Sequence, residues 1–146
     1  MKPITVRTHI DKPREEVFAF LDVMANHEPF TNHMLVDWTY SGPPSGIGAR
    51  ARMRANVPGP KDFADMEVVS ATPPETIVEQ AVGKGGKRRT QGTYTLREAP
   101  GGGTDVEFEL RYLEMPAAER LLSPLLRAWL TRANQKAMDR LAATSF

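Results

Sequence analysis

The sequence predicts an α+β domain in which a strongly curved, seven-stranded antiparallel sheet wraps one long C-terminal helix. Three observations carry that prediction. The N-terminal run Thr5-Val6-Arg7-Thr8-His9-Ile10 is short, β-branched and alternating, the pattern of a strand. Between Met34 and Leu113, five clusters rich in Gly and Pro separate six strand-length runs of alternating residues. Finally, Leu122, Leu126, Trp129, Leu130, Ala133, Ala137 and Leu141 fall within about 100° of one another at helical spacing.

Each element has its own warrant. After the first strand, Pro13 suits a first helical position, where its missing N–H costs nothing, and Glu15 and Glu16 complement the helix dipole. Val17, Phe20, Leu21 and Met24 then give one apolar face. Ala25 to Asn32 has no clear period, and Pro29 limits it to a short helix or a loop. The breakers that follow are residues 41–46, 57–60, 71–74, 83–86 and 99–103. Connections this short join antiparallel neighbours, because a parallel pair needs a crossover of a dozen or more residues. The strands therefore form one meander, with the N-terminal strand added as a seventh. The final helix runs from about Ala117 to Ala142, and Pro124 favours a division in which Ser123 caps a helix beginning there and residues 116–122 form a separate turn.

Composition bounds the function. A chain of 146 residues, 40% hydrophobic and 25% charged, is one globular domain, residues 1–146, that needs neither disulfide nor structural metal. The absence of cysteine excludes thiol nucleophiles, iron–sulfur clusters and cysteine zinc sites. A net charge of +1 argues against nucleic-acid binding through bulk charge. No signal peptide is expected and no stretch approaches the ~20 apolar residues of a membrane span, so the expectation is a cytoplasmic protein without membrane insertion.

The segments Ile10-Asp11-Lys12-Pro13-Arg14-Glu15-Glu16-Val17-Phe18, Ser45-Gly46-Ile47-Gly48-Ala49-Arg50 and Gly92-Thr93-Tyr94-Thr95-Leu96 resemble the recurrent segments of the polyketide cyclase/dehydrase branch of the START-like (SRPBCC) superfamily, whose fold is also that of the major birch pollen allergen and is called helix-grip. The resemblance spans nearly the whole chain. It implies an internal cavity between sheet and helix for a small hydrophobic or aromatic molecule, a lipid included. Two other activities of the superfamily come with it: polyketide aromatase/cyclase chemistry, and protein interaction through an exposed apolar surface.

Strand alternation says which side chains face that space. Ala49, Ala51, Met53 and Ala55 share one face of their strand, and Arg50, Arg52 and Arg54 the other. Three unpaired arginines inside would each cost several kcal/mol, so they point to water, within reach of Asp37, Asp65 or Glu67. Val106, Phe108, Leu110 and Tyr112 face inward, and Arg7 is placed to meet the outward Glu107 and Glu109. The expected lining is Trp38, Tyr40, Ala51, Met53, Met66, Val68, Tyr94, Phe108 and Tyr112, closed by Trp129, Ala133 and Ala137. Of these, Trp38, Tyr40, Met53, Met66, Tyr94, Phe108, Tyr112, Trp129 and Ala133 are the candidate ligand-binding residues. Aromatic faces, adaptable thioethers and small alanines suit a flat or greasy ligand, though the same stripe also describes a filled core. A buried phenol needs a hydrogen-bond partner, which a ligand could supply. Gly92 is expected to let the sheet bend or the helix approach.

Other motifs carry less. His27-Glu28 followed by His33 lacks the second histidine a zinc helix requires, since position 31 is Thr31; no metal or other cofactor is expected, and these histidines belong to a polar loop at the cavity mouth. Gly83-Lys84-Gly85-Gly86-Lys87-Arg88 imitates a phosphate loop but ends in Arg where Ser or Thr would hold magnesium, and reads as a solvated turn. No serine lies in a Gly-x-Ser-x-Gly frame.

Overall fold

The computed structural model describes Met1–Phe146. In chain order the strands are β1 Ile4–Ile10, β2 Leu35–Ser41, β3 Arg50–Ala55, β4 Phe63–Thr72, β5 Thr76–Gly83, β6 Arg88–Glu98 and β7 Thr104–Glu114. The helices are α1 Arg14–Leu21, α2 His27–Thr31, α3 Ala117–Leu121 and α4 Ser123–Ala142. All seven strands form one sheet in the order β1-β7-β6-β5-β4-β3-β2, every pair antiparallel. The meander is as the turn clusters predict, and β1 adds as the seventh strand beside β7, where Arg7 can meet Glu107. Pro13 stands at the N-cap of α1, one position earlier than expected. Pro124 opens α4 as a separate helix, but its N-cap is Leu122 rather than Ser123.

Irregularities in β2, β4 and β7 bend the sheet, because an extra residue on one strand increases its local twist and curvature. At the first of these Asp37 takes φ 59°, a left-handed conformation that Asp tolerates better than most residues, and its carboxylate accepts from Arg54 Nε at 2.6 Å.

The two faces of the sheet separate by chemistry. Outside, Arg50 meets Glu67, Arg52 meets Asp65 and Arg7 meets Glu107, all as the alternation predicts. Inside, Ile4, Val6, Ile77, Leu96, Val106, Met138 and Leu141 close a core against α1 and α4, each at most 3% exposed. α4 is tied to β1 by Arg127 donating to Pro3 O and Gln135 to Arg7 O. On its other side Arg140 donates to Pro29 O, and His33 Nε2 donates to Ala133 O at 2.8 Å. These anchors place α4 across the concave face between β1 and α2.

Candidate functional site

Burial along the inner face is uneven. The buried core gives way, at the end where β5 stops and β6 begins, to Ala64, Ala81, Thr90, Leu110 and Tyr112, which all face inward by register yet are only half-buried. Between the two regions Met66, Glu79, Phe108, Leu130 and Ala133 each keep 7–8% exposure, whereas Ile77, Leu96 and Val106 deeper in keep 1%. The helix therefore closes one end of the concave face and leaves the other open. α3 stands over the open end, held by Arg88 donating to Glu119 and by Tyr112 Oη donating to Glu119 Oε1 at 3.2 Å. Arg88 also donates to Asp62. A Cβ on Gly83 would lie only 3.0 Å from its guanidinium, so the glycine makes room for this clamp.

At the boundary sits a polar group that alternation alone does not reveal. Glu79 pairs with Val68 and Gly92 across its neighbouring strands and points inward. Its Oε2 is buried without a hydrogen-bond partner, 3.8 Å from Nδ1 of the buried His27, too far for a hydrogen bond. His27 Nε2 donates to Leu21 O at 2.6 Å, which fixes the proton on that nitrogen and leaves Nδ1 bare toward Glu79 when the ring is neutral. Burial pushes the Glu79 carboxyl up to about 8, and burial likewise lowers His27. At neutral pH the pair is thus an uncharged acid beside an uncharged imidazole. Tyr94 packs edge-on against His27 at 5.5 Å and tilted on Phe108 at 4.7 Å; burial, then the Glu79 charge, raise its phenol well above the ordinary value. Burial also pushes Tyr112 up to about 12, with Glu119 acting in the same direction. A carboxylic acid, a bare imidazole nitrogen and a phenol can together donate to, accept from or exchange a proton with a carbonyl or hydroxyl.

The structure distributes the candidate ligand-binding residues among three environments. Met53, Met66, Tyr94, Phe108 and Ala133 are buried on the inner face, and Trp38 and Tyr112 are half-buried there. Tyr40 and Trp129 are corrections: neither is enclosed, at 43% and 38% exposed. Tyr40 lies on the edge strand, where its hydroxyl donates to Glu28 at 2.5 Å and its ring stacks on Trp38. Trp129 and the equally expected Leu122 precede the part of α4 that β1 and α2 cover. The histidines are corrected too. His27 is buried in α2, and His33 is a strut between Ala133 and Arg140. Gly92 is surrounded not by a helix but by Phe108 and Glu79, whose atoms would lie 2.8 Å and 3.2 Å from an added Cβ.

Residues 1–145 match the family of polyketide cyclase / dehydrase and lipid transport proteins. The chain belongs to that family. Solved structures agree on the fold. TTHA0849 from Thermus thermophilus is 20% identical over 97% of this chain and 95% of its own, with a TM-score of 0.71. The KanY protein is 12% identical over 97% and 95%, with a TM-score of 0.75. DynU16, from the dynemicin biosynthetic locus, is 19% identical over 98% of this chain with a TM-score of 0.67, and this chain spans 46% of it. Ginseng major latex-like protein 151 from Panax ginseng is 12% identical over 92% of this chain and 97% of its own, at a TM-score of 0.61. No curated protein matches the sequence. The sheet and C-terminal helix are those of the START-like, helix-grip fold.

This family member has a second concavity, about 530 Å³, on the outer face of β2 to β5. Arg50, Arg52, Asp65 and Glu67 line it, already paired with one another, so it presents no unpaired charge to a ligand. The open inner end is the better site, because there apolar surface is left uncovered and a buried carboxyl oxygen is left unsatisfied.

Proposed function

We propose that the protein binds a small hydrophobic or aromatic molecule at the open end of the concave face, between β4–β7 and α4. The supporting observation is the change along one face from a closed core to half-buried Ala64, Ala81, Leu110 and Tyr112. A ligand burying ~300 Å² of apolar surface there gains roughly 7 kcal/mol before association costs, enough for micromolar binding without special chemistry. Met66 and Phe108 form the floor, and Glu79 and Tyr94 give it a polar end. Native mass spectrometry of freshly purified protein, paired with titration of an environment-sensitive naphthalene dye, tests the reading. A co-purified organic molecule, or saturable dye binding at one site, is expected. A bare polypeptide that takes up no dye would overturn it.

Glu79, His27 and Tyr94 favour a second reading in this family: aromatase/cyclase-type chemistry, with Glu79 moving a proton at a ligand carbonyl and Tyr94 donating to the developing oxyanion. The two readings part at Glu79→Gln. A pure binder keeps its dye affinity, and no turnover exists to be lost. An enzyme keeps the affinity but loses conversion of a poly-β-ketone probe.

A further inference from the structure

The α3–α4 junction carries a surface that the fold does not use. Leu121 is 84%, Leu122 59%, Leu125 72% and Trp129 38% exposed, and among the exposed residues from Ala117 to Trp129 only Arg120 is polar. Leu125 and Trp129 are one turn apart on α4, so they form a stripe, continued backward by Leu121 and Leu122. Leaving four large apolar side chains in water along one short stretch is unusual for a face with no partner.

The charge around the stripe is mainly positive, with Glu114 and Glu119 taken up by Arg89 and Arg88. From Met115 to Met138 the acidic residue is Glu119, already held by Arg88, while Arg120, Arg132 and Lys136 are exposed along the same stretch and Arg127 is turned to Pro3. Lys84 and Lys87, exposed in the turn beside Arg88, stand next to this end of the sheet. Leucines and a tryptophan on one side with arginines at their flanks are what an interfacial helix presents to anionic lipid, where the rings and methyl groups enter the headgroup boundary and the guanidinium groups meet phosphates.

We infer that the α3–α4 junction docks the protein onto an anionic lipid surface, with Leu121, Leu122, Leu125 and Trp129 as the inserted side chains. No helix is long and apolar enough to cross a membrane, and none is needed for contact of this kind. The sequence expectation of no membrane insertion weighed spans only. Position adds a consequence: α3 is hydrogen-bonded to Tyr112 at the open inner end, so docking sets the mouth of the concave face against the lipid.

The two tryptophans make the test direct. In Trp38→Phe, Trp129 is the remaining indole. Vesicles of phosphatidylglycerol and phosphatidylcholine should shift its emission to the blue, and brominated lipid should quench it. Sedimentation of the otherwise unaltered chain with the same vesicles needs no Trp38 substitution and checks the result if that variant folds poorly. Binding should fall about tenfold or more in Leu121→Ser/Leu125→Ser, given the apolar area withdrawn, and should weaken with salt. No sedimentation with anionic vesicles overturns the inference, as does equal binding by the double variant. A concentration-dependent dimer that the double variant abolishes would assign the stripe to a second copy, and would overturn it too. Dye binding in vesicle-free solution reads the inner site separately, so either proposal can fail alone.

Discussion

Glu79 lies between Ile77 and Ala81 on a strand whose other face carries Val78, Gln80 and Val82. The inner face holds Glu79 and the outer Thr76 and Gln80 among apolar residues, so alternation has little preference to report, and the ordinary expectation that a carboxylate faces water selects the wrong side. His27 escaped for a similar reason, since its short helix has no period to read. The arginines of β3 were legible because Arg50, Arg52 and Arg54 stand against three alanines and a methionine, and burying three cations is too costly to be ambiguous. The burial of Glu79 has a measurable sign. Its folded pKa, raised to about 8 from 4.5, means the unfolded chain loses this proton first, so stability falls as pH rises through that window. His27, lowered from 6.5, acts the opposite way, costing stability as pH falls below its unfolded value. Between pH 6.5 and 8 His9, raised by its hydrogen bonds to Asp105 and Asp11, loses stability in the same direction as Glu79, and comparison with Glu79→Gln removes its share. Chemical denaturation should show wild-type stability falling across that interval by about 2 kcal/mol relative to Glu79→Gln. Parallel curves would mean that Glu79 is ionised or solvated in the folded protein.

At the scale of elements, β6 and α4 are instructive. β6 approaches its partners through Gly92, where Phe108 from β7 and Glu79 from β5 fill the space of a side chain. Gly92→Ala should therefore cost about 1–3 kcal/mol by denaturant titration, while Gly101→Ala, with nothing within 4 Å and no left-handed backbone, should be nearly neutral. Equal effects would show that the cross-strand packing is slack. The helical period identified the buried face of α4 from Leu130 to Leu141 but extended it to Leu122 and Trp129. Periodicity reports that residues share a side of a helix. It does not report where the partner surface ends, and here the cover supplied by β1 and α2 stops short of the first turns.

For the molecule as a whole, strand count, antiparallel order and inside-outside sorting were all legible, because turn residues and alternating charge are local signals. The openness of one end of the concave face was not, since it depends on curvature from bulges at β2, β4 and β7 and on where α4 is anchored. Ala133 stands at the boundary between the closed and open regions, with 8% of its surface still exposed. The most direct measurement is Ala133→Leu, followed by thermal unfolding and naphthalene-dye titration against wild type. A ligand space accommodates the larger side chain, so unfolding should change little while dye affinity drops several-fold. A filled core would respond with a loss of about 1–3 kcal/mol from overpacking, and with no dye binding by either protein the binding site proposed on the concave face would be contradicted.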